Sequence, residues 1–291
     1  MPTVSTLRTL LLTGAAMLAF AANSLLCRLA LAQPRIDPAS FGSIRLASGA
    51  LALALIVRLR PRPQGATPSA DWLAAAMLFA YVALFSFAYL SLPAGTGALI
   101  LFGAVQLTML GAGLRAGERF APAAWGGLAA AVAGLVYLVS PGIAAPAPAG
   151  AASMALAGAA WGIYSLRGRG IADPLAATAS NFARAVPLAA ALSLVAVAAA
   201  HADAAGVALA VASGALTSGI GYVIWYAALR GLSAMRAATV QLSVPPIAAI
   251  GGVLMLSEPL TPRLLLASVA VLGGIAAVLA TRARAVGRAG R

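Results

Sequence analysis

The chain has 291 residues, 62% of them hydrophobic and only 9% charged, with a mean hydropathy of +0.98. A soluble domain typically carries about 25% charged residues over its core, so the composition excludes a soluble globular protein and reads as an integral membrane protein. The net charge of +13 comes from nineteen arginines against six acids, with no lysine. These arginines fall mostly in short connections between apolar runs, not on the folded basic face with stacking aromatics that nucleic-acid binding requires.

A helix crosses about 30 Å of hydrocarbon in about 20 apolar residues, and it satisfies its own backbone hydrogen bonds there. Such runs are predicted near 9–31, 38–57, 72–91, 95–114, 121–139, 151–166, 174–200, 205–229, 236–256 and 263–281. Residues 9–22 resemble the apolar core of a signal peptide, but the many spans that follow favour an uncleaved first span. The single cysteine, Cys27, excludes an intramolecular disulfide. Leu25-Leu26 before it lacks the small residue expected ahead of a lipidated cysteine. The breaks fall at polar, Pro- and Gly-containing stretches such as Gln33-Pro34, Leu92-Pro93 and Pro141–Gly150. The lone histidine, His201, sits in a loop beside Asp203 without a second ligand and reads as a solvated side chain. No metal and no cofactor are expected.

With a cytoplasmic N-terminus, the inner connections hold Arg8, Arg58, Arg60, Arg62, Arg115, Arg119, Arg167, Arg169, Arg230, Arg236, Arg282, Arg284, Arg288 and Arg291. The outer ones hold Arg28, Arg35 and Arg263. That bias places both termini in the cytoplasm and favours an even number of spans. The expected location is a bacterial inner membrane.

The chain also repeats itself at an offset near 140 residues. Gly117-Glu118-Arg119 and Ser257-Glu258-Pro259 both end an apolar run, and Gly134 and Gly274 follow each Glu sixteen residues on. Arg45 sits early in the second span as Arg184 does in the seventh, and Ala22-Asn23-Ser24 answers Gly162-Ile163-Tyr164. The expected organisation is therefore two five-helix repeats, 1–145 and 146–291, forming one transport unit. Five is odd, so the second repeat enters the bilayer from the opposite face. Inverted repeats are characteristic of secondary transporters, whose site lies between the halves and is exposed alternately. The fold class expected is an all-α membrane protein of ten transmembrane helices in two inverted five-helix repeats.

These features, with the run from Ala227-Ala228-Leu229 through Pro245-Pro246 to Glu258-Pro259-Leu260-Thr261, resemble the drug/metabolite transporter superfamily in its EamA-type form. The first half departs from the pattern, with Val105-Gln106 where the second has Pro245-Pro246. The resemblance implies a small-molecule carrier with a cavity built by the first, third, fourth, sixth, eighth and ninth helices. Within the superfamily the chain is similar to bacterial exporters of aromatic and other amino acids. Carriers of nucleotide sugars, nucleobases or drugs on the same fold remain open, with a channel or a membrane-embedded enzyme further off. No Walker loop, zinc spacing or nucleophile elbow appears, so no enzyme is expected. The expected partners are a small-molecule substrate and the lipid bilayer, with no reading of oligomeric state.

Polar groups inside spans are costly and are functional candidates by default. Asn23, Gln106 and Gln241 are the amides so placed; each either contacts substrate or joins helices. Tyr81, Phe85 and Tyr89 recur on one face of the third span, and Tyr222, Trp225 and Tyr226 on one face of the eighth. Trp161 lies ten residues into the sixth span, too deep for the interfacial belt that suits Trp72 and Trp125. The substrate-binding set expected is Asn23, Tyr81, Tyr89, Gln106, Trp161, Tyr222 and Gln241. Pro245-Pro246 is expected to kink or break the ninth span, since neither residue donates a backbone hydrogen bond. Arg45 and Arg184 lie near enough to span ends to snorkel to the headgroups. Their matched placement points to a structural task such as capping a neighbouring helix, with substrate-carboxylate binding as the sharper reading. Glu118 and Glu258 are assigned structural roles at the rims. Every acid lies at a span end or in a loop, which favours facilitated diffusion over proton coupling.

Overall fold

The structure is a computed structural model and describes residues 6–60, 71–117, 120–232 and 234–289, without the side chains at 234, 235 and 282–289. Glu118, Arg119, Arg62 and Arg291 lie outside the described residues. Ten apolar helices run in order: α1 (Thr6–Ala32), α2 (Pro38–Leu59), α3 (Trp72–Ala88), α4 (Ala94–Arg115), α5 (Pro122–Val139), α6 (Pro148–Arg167), α7 (Pro174–Val195), α8 (Ala204–Leu229), α9 (Arg236–Leu256) and α10 (Pro262–Ala289). Nine of them are long and apolar enough to cross a bilayer among the described residues. The tenth, α3, has 17 residues and reaches about 25 Å.

Local chemistry sets the boundaries. Each Asp of the chain caps a helix: Asp37 on α2, Asp71 on α3, Asp173 on α7 and Asp203 on α8 accept hydrogen bonds from first-turn N–H groups. That satisfies orphan donors and sets a negative charge against the positive helix end. Prolines open α2, α5, α6 and α7, where no donor is needed. The third and seventh spans stop short of the sequence expectation, at Ala88 and Val195, because the chain turns there through Tyr89–Leu92 and the short 3-10 turn Val197–Ala199.

Two helices are irregular. In α9 a 3-10 turn at Gln241–Ser243 separates two helical pieces, and Val244-Pro245-Pro246 opens the second. The missing proline donors thus fall in a first turn, and the irregularity sits just ahead of the pair. The matching stretch of α4, Val105-Gln106, runs as unbroken helix. In α8 the stretch Ala212–Ile220 is π-helical, a feature the apolar pattern does not announce.

The packing is two-fold. Helix α3 lies on α6 as α8 lies on α1; α4 lies on α6 as α9 lies on α1; α7 lies on α3 as α2 lies on α8. The pairs α5·α10, α2·α7 and α4·α9 map onto themselves. Helix n therefore answers helix n + 5, which crosses in the opposite sense. The ion pairs obey the same rule: Arg167 at the end of α6 meets the cap of α3, Asp71, at 2.7 Å, and Arg35 just after α1 meets the cap of α8, Asp203, at 3.4 Å. One pair lies at each end of the bundle.

Small residues set the closest approaches, since lipid leaves little hydrophobic drive between helices. Where α5 crosses α10, a Cβ on Gly127 would sit 2.6 Å from the Gly274 carbonyl oxygen, and one on Gly274 2.4 Å from that of Gly127. Their neighbours Gly126 and Gly273 face open space. Gly127→Ala and Gly274→Ala are each expected to destabilise the protein by about 1–3 kcal/mol. Gly126→Ala and Gly273→Ala should leave the melting temperature in detergent unchanged. Equal behaviour of the four variants would contradict this crossing.

Candidate functional site

A cavity of about 980 Å³ opens at the end of the bundle where α6 finishes and α3 and α7 begin. Its mouth carries Asp71, Arg167, Arg169 and Asp173, at the arginine-rich end. Asp71 is held below the usual carboxylate range chiefly by the Arg167 guanidinium. Burial pushes the Asp173 carboxyl up, but hydrogen bonds from Arg60 and from the Ala176 N–H bring it below that range. Both rim acids are therefore ionised and paired at neutral pH.

Deeper in, the wall is aromatic. Trp161 stacks on Tyr81 with centroids 5.3 Å apart and meets the ring edges of Phe102 at 5.2 Å and Phe20 at 6.2 Å. Phe20 also touches Tyr222 and Trp225, at 6.1 and 5.8 Å. These contacts place α1, α3, α4, α6 and α8 around one aromatic septum. Beyond it lies a niche of about 10 Å³, lined on its polar side by Asn23, Ser24, Arg45 and Tyr81. Phe20, Trp161 and Tyr222 border both spaces.

The expected amides divide between the two. Gln106 and Gln241 line the large cavity, from α4 and α9. Asn23 lines the niche, yet its amide joins helices: Ser213 donates to its Oδ1 at 2.6 Å, Thr217 Oγ1 lies 2.9 Å from the same oxygen, and its Nδ2 donates to Ser218 at 3.3 Å. All three partners are on the π-helical stretch of α8. The niche and cavity walls also take Tyr81, Trp161 and Tyr222. Tyr89 lines neither. It lies past the end of α3, its ring edge-on to Phe85 at 4.7 Å and its hydroxyl donating to the Ala94 carbonyl at 3.3 Å.

Snorkelling does not describe Arg45. It is 2% exposed, about 10 Å into α2, with Nη2 donating to Tyr81 Oη at 3.0 Å and Nε to Ser218 Oγ at 3.4 Å. The rings of Tyr81 and Phe85 lie 5.2 and 5.0 Å from its guanidinium carbon. Such a depth is reached because α8 allows it: Gly214 brings its backbone against the Arg45 carbonyl, where a Cβ would be 2.1 Å from that oxygen. Arg184 is different, half-buried, bonded to Ser180 and 5.9 Å from the Trp72 ring centroid. A mid-bilayer arginine costs about 2.5–3.5 kcal/mol on insertion scales, which the bonds to Tyr81 and Ser218 and the two ring faces offset in part.

Phe20 and Phe102, and Thr178 and Asn181 of α7, are not among the residues expected from sequence. Thr178 and Asn181 bring α7 to the large cavity and Arg45 brings α2 to the niche, two helices outside the expected cavity set. The Asn181 amide within an apolar span was the available signal.

The opposite end is shut. Arg28 of α1 donates from Nε to Glu258 Oε1 at 2.9 Å and from Nη1 to the Tyr89 carbonyl at 2.9 Å. Glu258 Oε2 accepts the Ala94 N–H at 2.7 Å, capping α4 from a distant segment. Ser257, at φ 54°, makes the left-handed turn that leads into Glu258. Leu92 and Leu99 fill the same end at 0% exposure. Asp37, buried here, has its carboxyl pushed up by burial, yet hydrogen bonds from Ser40, His201 and Ala39 hold it below the usual range. Arg28→Ala and Glu258→Ala are each expected to lower stability by about 1–3 kcal/mol. A double-mutant cycle read by thermal melting should return a coupling of at least about 1 kcal/mol; additive losses would remove the pair as a clamp.

The EamA-like transporter family matches residues 148–280, the stretch that runs from α6 through the apolar part of α10. The "Uncharacterized protein PA1977" of Pseudomonas aeruginosa is 56% identical over 285 residues, spanning 98% of both chains. A solved crystal structure of a protein 19% identical superposes with a TM-score of 0.64, over 94% of this chain and 98% of that one. At that identity the likeness shows the fold.

Proposed function

Since the chain belongs to the EamA-like transporter family and is a multi-pass membrane carrier of small solutes, we propose that it works by alternating access between its two five-helix halves, 1–145 and 146–291. The observation that carries this reading is the blind cavity. It opens at the arginine-rich end, passes Gln106 and Gln241, and stops at the Trp161–Phe20 septum; the far end is sealed by Arg28, Glu258 and Tyr89. A channel needs a path through, whereas a carrier needs one end closed while the other is open. By the positive-inside rule the mouth faces the cytoplasm and both termini lie there. The relative from a bacterium supports an inner-membrane location.

The aromatic wall favours cargo with a flat or apolar body, because ring faces pair best with other rings and apolar surface. Amino acids with aromatic or other apolar side chains, or similar small metabolites, fit that description, and outward transport is the proposed direction. The spans hold no carboxylate among the described residues, and the rim acids Asp71 and Asp173 are kept ionised by arginines. That favours a facilitator.

Reconstituted in liposomes, the protein is expected to show saturable counterflow of a labelled amino acid in preference to nucleobases and sugars. The rate should not change between pH 6 and 8 or when a pH gradient is collapsed. Trp161→Ala and Tyr81→Ala should reduce counterflow at least tenfold while folded yield stays normal. Non-saturable flux would indicate a channel, and full activity in both variants would remove the site.

A further inference from the structure

Arg45 is the one cation of the described spans that is both buried and without a carboxylate. Every described acid is committed elsewhere: Asp37 to the α2 cap and the His201 N–H, Asp71 to Arg167, Asp173 to Arg60, Asp203 to Arg35, Glu258 to Arg28. The guanidinium is held on two sides, by Tyr81 Oη and Ser218 Oγ, and faces the rings of Tyr81 and Phe85. Its Nη1 has no hydrogen-bond partner among the described residues. The side chain lines the niche.

A planar guanidinium fixed by its Nε and one amino group, with the other amino group free, is preorganised for a carboxylate. A purely structural arginine at this depth would be expected to spend that N–H group on a carbonyl, as Arg263 does with Ser140. The niche measures about 10 Å³, room for about one water-sized group. It therefore suits one carboxyl oxygen, with the body of the molecule left in the large cavity beyond Phe20 and Trp161.

We propose that Arg45 is a carboxylate subsite, and that the cargo is an organic anion whose apolar or aromatic body lies against Trp161 and Phe20 in the large cavity. The proposal rests on the carrier reading and deepens it. No acid lines the niche, so an ammonium group finds no counter-charge there and is not required for recognition.

The test uses the full chain in lipid nanodiscs and calorimetric binding of matched pairs: 3-phenylpropionate against 3-phenylpropanamide, and 4-methylpentanoate against its amide, with phenylalanine and 2-phenylethylamine alongside. At least one carboxylate should bind tenfold or more tighter than its amide, phenylalanine no tighter than 3-phenylpropionate, and 2-phenylethylamine weakest. Arg45→Gln should abolish the preference, and Tyr81→Phe, which removes one anchor of the guanidinium, should weaken the anion several-fold. Equal binding of acid and amide in both pairs, binding of no carboxylate, or a preference that survives Arg45→Gln overturns the proposal. A wild-type preference that Tyr81→Phe leaves unchanged also overturns the proposal, so the test holds even where Arg45→Gln fails to fold. Loss of counterflow for every probe would instead contradict the carrier reading and leave a measured acid-over-amide preference standing.

Discussion

Helices in a bilayer gain little by hiding apolar surface from lipid, so this bundle depends on how closely its backbones approach. At the α5·α10 crossing the two glycine carbonyls leave no space for a Cβ, and at the α2·α8 crossing Gly214 lies against the Arg45 backbone. The α5·α10 pair packs most closely on itself and also touches α4. The other helices supply nearly all of the cavity wall, with its rings and amides, and α10 adds Leu279.

Charge is distributed under the same constraint. Hydrocarbon excludes unpaired ions, and the chain's aspartates all stand at helix N-termini, where backbone donors receive them and, for Asp71, Asp173 and Asp203, an arginine as well. Two ion pairs related by the repeat, Arg167–Asp71 and Arg35–Asp203, mark opposite ends. Against that symmetry the two ends differ in one respect: Arg28, Glu258 and Tyr89 shut one, while the cavity opens at the other. A symmetric fold in an asymmetric arrangement is what one state of an alternating carrier looks like. The interior is left with a positive centre, Arg45, behind the aromatic septum.

Much of this was legible in the sequence. Apolar runs and their polar, Pro and Gly breaks mark out the helices, and the offset near 140 residues anticipates the matching of helix n with n + 5. The depth of Trp161 and the Tyr81–Phe85 face placed the ring stack. The rest depended on third partners. For Asn23 the sequence leaves substrate contact and helix joining equally open; its bonds to Ser213, Thr217 and Ser218 come from α8, and the π-helical turn that presents them leaves no trace in hydropathy. Tyr89 shares a helical periodicity with Tyr81, but α3 stops at Ala88 and sends its ring to the closed end. Arg45 and Arg184 hold equivalent positions, yet only the close approach of α8 buries the first. Spacing along a chain reports faces of helices and does not report which neighbour comes within hydrogen-bond reach.

The central claim, one cavity open at one membrane face and sealed at the other, is tested most directly by thiol accessibility. The only native cysteine, Cys27, is buried, so Ser165→Cys on the cavity wall provides a clean reporter against a membrane-impermeant maleimide in oriented vesicles. The expected result is labelling from the cytoplasmic face alone without substrate, slowed when a transported substrate is added. Labelling from the outer face under the same conditions, or from both faces equally, would contradict the account.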